Sequence, residues 1–312
     1  MRLDVIIPTY NRQKMLERTL SSLHRASVPS GLEVKVTVVD NNSTDKTRQV
    51  VKEWAKRFDG RLDCAFESKQ GRSSALNRGI LSTDGDLVGM IDDDEEIDER
   101  WYECVRAAFN QSDVDFIGGP YVPKWGASQP DWLPMNYVGV IGWIDGGERV
   151  VPYDENYPGI LMGGNAVLTR SILQKVGLYN TSLSRTGTRL LAGEDEDMYQ
   201  RLLAAGARGF YLPNLIIHHF VPPERLTKRY FRKWCFWRGV SRGVLDKEKQ
   251  SPEVHLAGVP RWLYGAAGRA AMRMTKRVIS RTVEPAEHFS DELAVWDLAG
   301  FFYGRHFYKT AN

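Results

Sequence analysis

The sequence predicts an α/β fold: a mainly parallel central sheet flanked by helices, followed by a helical, basic C-terminal extension. Three observations predict it. Short runs of aliphatic and β-branched residues alternate with stretches of helical spacing through the first hundred residues. The connections between them are short and polar. Beyond residue 222 the alternation gives way to long basic segments, rich in aromatics and of helical period.

Residues 3–7 form an apolar run ended by Pro8 and read as a buried strand. Met15, Leu16, Leu20 and Leu23 recur at helical spacing until Pro29 and Gly31 stop the helix. Residues 34–39 make a second strand running into Asp40, Asn41, Asn42 and Ser43, where Asn42 or Ser43 can cap a helix with Trp54 and Phe58 facing inward. Residues 62–66 are a third strand, and residues 71–74 turn into a helix holding Leu76, Asn77 and Gly79. Residues 87–91 are a fourth strand, met by five carboxylates from Asp92 to Glu96; Ile97, Trp101, Val105 and Ala108 then line a helix.

From Asp115 the pattern is less regular. Residues 116–119 read as a short strand, and 120–159 as long Gly-, Pro- and Trp-rich loops with a strand near 138–144. A strand at 166–169, a helix at 171–176 closed by Gly177, and a helix from the acids at 194–197 to Gly206 follow. Residues 210–217 read as one strand delivering His218 and His219 to its end. Residues 226–240 and 260–281 read as helices, and 289–302 as a segment closing the chain back onto the body.

Composition narrows the class. At 42% hydrophobic and 26% charged residues, disordered and fibrous architectures are excluded. Residues 224–281 hold 15 Lys or Arg against 4 Asp or Glu, a net of +11 in a chain of net +3, so the rest stands at −8. That asymmetry fits an anionic partner, phosphate-bearing substrate or acidic lipid, and equally a solvated face. Cys64, Cys104 and Cys235 are too scattered for a thiolate metal site or a disulfide framework and point to reduced thiols. Asp4, Pro8, Asn11 and Arg12 interrupt any signal-peptide core, and no run reaches the roughly 18–20 apolar residues that span a bilayer. The expected place is the cytoplasm, extending to a peripheral seat on the inner face of the cytoplasmic membrane.

The chemistry is carried by acids at strand ends. Asp92, Asp93 and Asp94 follow a buried strand, the end at which open α/β sheets bind ligands. Like charges held together call for a cation, and hard ions such as Mg²⁺ and Mn²⁺ favour carboxylates combined with substrate phosphates. Asp92 and Asp94 are the preferred pair; the plain alternative, acids at a helix N-terminus, accounts better for Glu95, Glu96 and Asp98. Asp195 is the candidate general base if Glu194 is turned aside, with simple helix capping as its alternative. Strand alternation allows only one of His218 and His219 to face the crevice, where a neutral imidazole would complete an oxygen-rich metal shell; a surface histidine pair is the other reading.

Thr9 to Arg12 and Asp40 to Ser43 end neighbouring strands and offer a ring, a cation and hydrogen-bonding groups to a nucleotide, with Lys69, Gly71, Arg72 and Asn77 finishing the pocket. Neither a dinucleotide fingerprint nor a P-loop occurs. Basic and aromatic residues interleave at 225–238 and 262–281, a pattern suited to an anionic membrane surface and also to helices packed on the body. No nucleic acid is expected, because fixed carboxylates beside the groove would repel its backbone.

Together these segments resemble the family 2 glycosyltransferases, inverting enzymes of GT-A fold, over about residues 2–220. Asp4-Val5-Ile6-Ile7-Pro8-Thr9-Tyr10-Asn11-Arg12 is similar to the opening strand and nucleotide loop. Val38-Val39-Asp40-Asn41-Asn42-Ser43-Thr44-Asp45 places Asp40 as the base-contacting acid, and Ala75-Leu76-Asn77-Arg78-Gly79 resembles the next turn and helix. Asp92-Asp93-Asp94 matches the DxD signature, with Asp94 the implied metal ligand and Asp92 nearer the ribose or metal-bound water. Gly163-Gly164-Asn165-Ala166 resembles the acceptor-side stretch, and Gly193-Glu194-Asp195-Glu196-Asp197 the segment whose base maps to Asp195. His218 or His219 takes the place of a metal-binding histidine. Arg232-Lys233-Trp234 is loosely similar to the Gln-x-x-Arg-Trp signature of processive synthases, but the Gln is absent and no spans exist to form a channel, so non-processive transfer is expected.

The resemblance implies a GT-A domain over 1–222, binding a nucleoside-diphosphate sugar through Pro8, Tyr10, Arg12, Asp40, Asn42, Lys69, Asn77, Asp92 and Asp93. It implies Mn²⁺ or Mg²⁺ on Asp94 and a histidine, catalysis by Asp195, and an acceptor side at Gly164, Asn165, Glu194 and Trp234. Residues 223–312 form the extension. The expected reaction moves a sugar, UDP-linked by default, to a saccharide or lipid-linked hydroxyl. A sugar-nucleotide-forming nucleotidyltransferase and a non-catalytic membrane or assembly protein on the same fold are the alternatives.

Overall fold

The computed structural model describes residues 1–110, 113–183, 193–249 and 254–308. They divide into two compact units: Met1–Lys124 with 143–183 and Gly193–Phe220, and Trp125–Gly142 with the residues from Val221 onward.

The first unit opens with three β/α repeats and a fourth strand: β1 (Arg2–Thr9), α1 (Gln13–Arg25), β2 (Glu33–Asp40), α2 (Thr47–Ala55), β3 (Leu62–Phe66), α3 (Arg72–Leu81) and β4 (Leu87–Met90). Then come β5 (Glu95–Ile97), α4 (Trp101–Phe109), β6 (Phe116–Gly118), β7 (Tyr121–Trp125), β8 (Val151–Tyr153), β9 (Ala166–Thr169), α5 (Arg170–Val176), α6 (Glu194–Ala204), β10 (Gly209–Tyr211) and β11 (Ile217–Val221). The main sheet runs β3-β2-β1-β4-β9-β6-β10-β8. β1 lies parallel to β2 and β4, β2 to β3, and β6 to β10; β9 is antiparallel to β4 and β6, as β8 is to β10. Mainly parallel is therefore the right description.

Both faces of this sheet are covered, which is why its strands read as continuous apolar runs. Val5, Ile7, Val36 and Val38 face one core with Leu16, Leu20 and Trp101; Ile6, Val39, Val88 and Met90 face the other with Leu76, Ile80, Phe116 and Leu202. A smaller sheet, β5-β11-β7, stands beside it.

Three local expectations are corrected. Residues 210–217 are not one strand: Pro213 lacks a donor, and Leu215 N–H bonds Leu212 O in a tight turn that separates β10 from β11. The histidines consequently sit within β11 rather than at the end of a strand over 210–217. Residues 138–144 hold no strand; Met135–Ile141 is a 3₁₀ turn ended by Gly142 at φ 72°. Glu95, Glu96 and Ile97 do not belong to the following helix, which starts at Trp101; they form β5, antiparallel to β11 with His219 opposite Glu95 and His218 opposite Glu96.

The second unit is built on α7 (Lys228–Lys249), α8 (Arg261–Ser280) and α9 (Pro285–His306). α9 packs along both other helices. A Cβ at Gly300 would stand 1.9 Å from the Phe236 carbonyl oxygen, and one at Gly239 would stand 2.2 Å from that of Asp297, so the α7 and α9 backbones meet directly. Asp297 accepts from Arg238 at 2.9 Å and Arg242 at 3.0 Å, Glu292 pairs with Arg232, and Asp291 pairs with Arg273 and Arg277. Trp132 packs edge-on against Phe231 and Phe289. Among the described residues no helix is long and apolar enough to cross a membrane.

Candidate active site

The parallel strands deliver their C-terminal ends to one rim. Thr9 lies opposite Asp40 in register, and the acids after β4 emerge beside them, Ile91 N–H still bonding Ile6 O. Because β9 runs the other way, its preceding residues Gly163–Asn165 arrive at this same rim. So does Arg72, which opens α3 after the β3 turn.

Asp93 is buried and held on three sides. Its carboxylate accepts from Thr9 Oγ1 at 2.8 Å and Arg12 Nη1 at 3.0 Å, and its carbonyl accepts from Thr19 Oγ1 at 3.0 Å. Burial pushes its carboxyl up to about 7 against the pull of Arg12. Asp94 takes the same Arg12 Nη1 at 2.8 Å, and its Oδ2 lies 3.7 Å from His219 Nε2. His219 is 7% exposed and lies on the side of Asp94, while His218 is half-buried on the other face of β11. Among the described residues no three His, Cys, Asp or Glu side chains converge as a complete metal cage.

Glu95 turns inward. Its Oε2 accepts from Asp92 N–H at 2.7 Å, and burial, then the charges of Asp92 and Asp94, raise its pKa well above the carboxylate range. Glu96 turns to the surface between Arg18 at 2.9 Å and Lys124 at 2.8 Å.

Arg72 joins the two acidic clusters. Its Nε donates to Asp92 Oδ1 at 2.8 Å and its Nη1 to Asp195 Oδ1 at 3.2 Å, with Glu194 Oε1 at 3.9 Å. A planar guanidinium spans two carboxylates in this way where an ammonium would not. Glu194 is the more enclosed acid, its side chain 6% exposed against 18% for Asp195. Burial, then the charge of Asp195, raises the Glu194 pKa. Asp195 keeps one oxygen on Arg72 and presents its carboxylate at the first turn of α6.

The glycine pair gives these acids room. A Cβ at Gly163 would stand 2.4 Å from Asp195 Oδ1, and one at Gly164 would stand 2.4 Å from Glu95 Oε1. Asn165 holds that turn from below: its amide accepts from Trp101 Nε1 at 3.0 Å and donates to the carbonyls of Leu215 at 2.6 Å and Pro120 at 3.3 Å. The amide of Asn165, expected on the acceptor side, is thus engaged inside the protein.

Of the residues expected to hold a nucleotide, Pro8 is buried in β1 and Tyr10 stands 47% exposed. Asp40 is buried, accepting from Ser43 N–H at 2.9 Å and pairing with Arg48. Asn42 is exposed, with φ at 68°. Asn11 locks the two loops together, accepting from Thr44 N–H at 2.7 Å and Asp45 N–H at 3.2 Å. Lys69 Nζ reaches Thr181 Oγ1 at 3.3 Å. Asn77 is engaged with the backbone of Tyr179, donating at 2.8 Å and accepting at 2.9 Å. Trp234 belongs to the second unit, where Arg238 lies over its ring at 5.4 Å.

Sequence reasoning did not single out Thr9, Thr19, Asn11 and Gly163 as residues that hold the acids and loops, and it placed Arg72 only in the nucleotide pocket. A lone cation opening a helix at the strand-end rim was the available signal.

A family model described as "Glycosyl transferase family 2" matches residues 4–177, more than half of the chain. The glucosyl-dolichyl phosphate glucuronosyltransferase of Haloferax volcanii is 27% identical over 252 residues, covering 79% of this chain and 78% of the relative. The succinoglycan biosynthesis protein ExoM of Rhizobium meliloti is 25% identical over 266 residues, covering 83% and 81%. Among solved structures, the mannosyltransferase PcManGT from Pyrobaculum calidifontis, in complex with GDP-Man and Mn²⁺, superposes with a TM-score of 0.65 at 19% identity, covering 97% of this chain and 86% of the neighbour.

Proposed function

The chain belongs to glycosyl transferase family 2, and on that premise we propose that it transfers a sugar, with inversion, from a nucleoside-diphosphate donor to an acceptor hydroxyl in a single displacement. It is a glycosyltransferase of GT-A fold. The observation that carries the reaction is Arg72, which ties Asp195 to Asp92 and so sets a proton acceptor beside the donor-binding acids.

In this reading Tyr10, Arg12, Asp40, Asn42 and Lys69 hold the nucleotide. Asp195 takes the proton from the acceptor hydroxyl as its oxygen bonds the anomeric carbon and the bond to the diphosphate breaks. Arg72 keeps the base aimed. Asp93 holds Arg12, whose cation faces the place where phosphate charge develops.

The residues present fit a divalent ion, Mn²⁺ or Mg²⁺: Asp94 and His219 offer an oxygen and a nitrogen on one side, and such ions take their remaining ligands from water and substrate phosphates. When bound, it would neutralise charge on the departing diphosphate. The PcManGT complex with GDP-Man and Mn²⁺ supports that donor and ion class, and the glucuronosyltransferase supports a lipid-linked acceptor. A nucleotide sugar and a lipid-linked acceptor meet at the inner face of the cytoplasmic membrane, where we place the enzyme.

The test is Asp195→Asn, which keeps the shape and removes the base. Turnover, followed as nucleoside diphosphate release across a panel of nucleotide sugars, is expected to fall by roughly 10²–10⁴-fold. Donor affinity is expected to stay within a few-fold. Undiminished turnover removes Asp195 from its role, and release of pyrophosphate from a nucleoside triphosphate would replace transfer with nucleotidyl chemistry.

A further inference from the structure

Helices α7 and α9 bury Phe231, Phe289 and Phe301 but leave a second set of rings on their outer flank. Besides Gly239 and Gly300, a Cβ at Gly243 would stand 2.4 Å from the Phe301 carbonyl oxygen and one at Gly304 would stand 2.3 Å from that of Val240. Where the backbones meet at these four glycines, no side chain stands between the helices, and several rings lie on the flank instead. Trp296, Phe302, Tyr303 and Phe307 are 40%, 40%, 41% and 63% exposed.

These rings are contiguous. Tyr303 lies 6.2 Å from Phe307 and 5.7 Å from Phe236, which lies 6.5 Å from Trp296; Phe302 lies 6.0 Å from Phe307. Lys233 precedes Phe236 by three residues and therefore shares its helical flank, with Arg229 one turn earlier. Both cations are exposed, whereas Arg232 and Arg238 on the same helix are paired to α9 carboxylates.

A connected aromatic patch left against water marks a surface that something covers. Trp, Tyr and Phe beside exposed cations match the interfacial zone of a bilayer, where rings sit at headgroup depth and Lys or Arg meets lipid phosphate. We propose that this α7–α9 flank docks the enzyme on an anionic bilayer, Phe302 and Phe307 entering the acyl boundary and Arg229 and Lys233 lying at the headgroups. A saccharide platform is disfavoured because phenylalanine rings bring no hydrogen-bonding edge. A second copy on this same flank is disfavoured because it would set like cations against like. The inference rests on the membrane placement proposed above, not on the transfer chemistry.

Sedimentation of the full chain with vesicles tests it. Binding to phosphatidylcholine vesicles is expected to require added phosphatidylglycerol and to weaken with salt. Phe302→Ser with Phe307→Ser is expected to lower binding by roughly tenfold or more, since apolar insertion scales with buried area. The Trp pair at the same positions is expected to retain binding. Arg229→Glu with Lys233→Glu is expected to abolish the phosphatidylglycerol dependence. Donor turnover in solution is expected to be unchanged in all of these variants.

Equal vesicle binding by the Ser pair overturns the proposal. So does loss, in that pair, of binding to a soluble oligosaccharide, or of a dimer seen by sedimentation velocity, with vesicle binding intact. Vesicle binding without turnover would sink the transfer reading alone, and turnover without vesicle binding would sink this one alone.

Discussion

The acidic rim of the first unit and the helical second unit handle charge in opposite ways. At the rim, Asp92, Asp93, Asp94 and Glu95 stand together with Glu194 and Asp195, and Arg12 and Arg72 each serve two or more of them. In the helical unit three carboxylates between the helices are matched by cations: Glu292 with Arg232, Asp297 with Arg238 and Arg242, Asp291 with Arg273 and Arg277. Matched charges fasten helices. Burial, and with it a surplus of like charge, raises carboxyl pKa values at Asp93 and Glu95, an arrangement that suits a site where a further cation or a reaction uses it.

Glycine divides along the same line. Gly163 and Gly164 clear space for carboxylates, whereas Gly239 and Gly300 clear space for another helix's backbone.

The sharpest break of this comparison is Arg72→Met. Removing a cation from enclosed carboxylates is expected to destabilise the first unit by about 3–5 kcal/mol, read by denaturant unfolding. Transfer should fall with it, and Arg72→Lys should not restore transfer, because an ammonium cannot fork between Asp92 and Asp195. Full activity in the lysine variant would mean that the rim needs only net charge.

Next in size is Gly300→Leu, whose Cβ would enter the Phe236 carbonyl. A cost of about 1–3 kcal/mol or more is expected, seen as a lowered or split thermal transition. No change in that transition would show that the seam can part freely.

The smallest effect is expected at Arg232→Gln, about 1 kcal/mol or less, because the pair with Glu292 is partly open to water. The hydrogen bond from Arg232 holds the Glu292 carboxyl below the usual range. Its stabilisation is therefore present above the unfolded-state pKa of about 4.3 and is lost as pH falls through the lowered folded value. Stability curves of the wild type and Arg232→Gln should converge in acid and separate toward neutrality; a gap of constant size would place the effect in packing.

Sequence alone determined the alternating core, the mainly parallel sheet and the rim that carries Asp92 to Asp94, because strand and helix periods are local and carboxylates directly after an apolar run fall at that strand's end. It also placed Glu194 and Asp195 at a helix start. Tertiary structure decided how the pieces meet. Strand pairing of β11 with β5, not the order of the two histidines, set His219 beside Asp94. Chain reversal at β9 brought Gly163 and Gly164 to the acids, and a guanidinium 123 residues away in sequence reached Asp195. Such partners are chosen by long-range packing and register, and no local period records them.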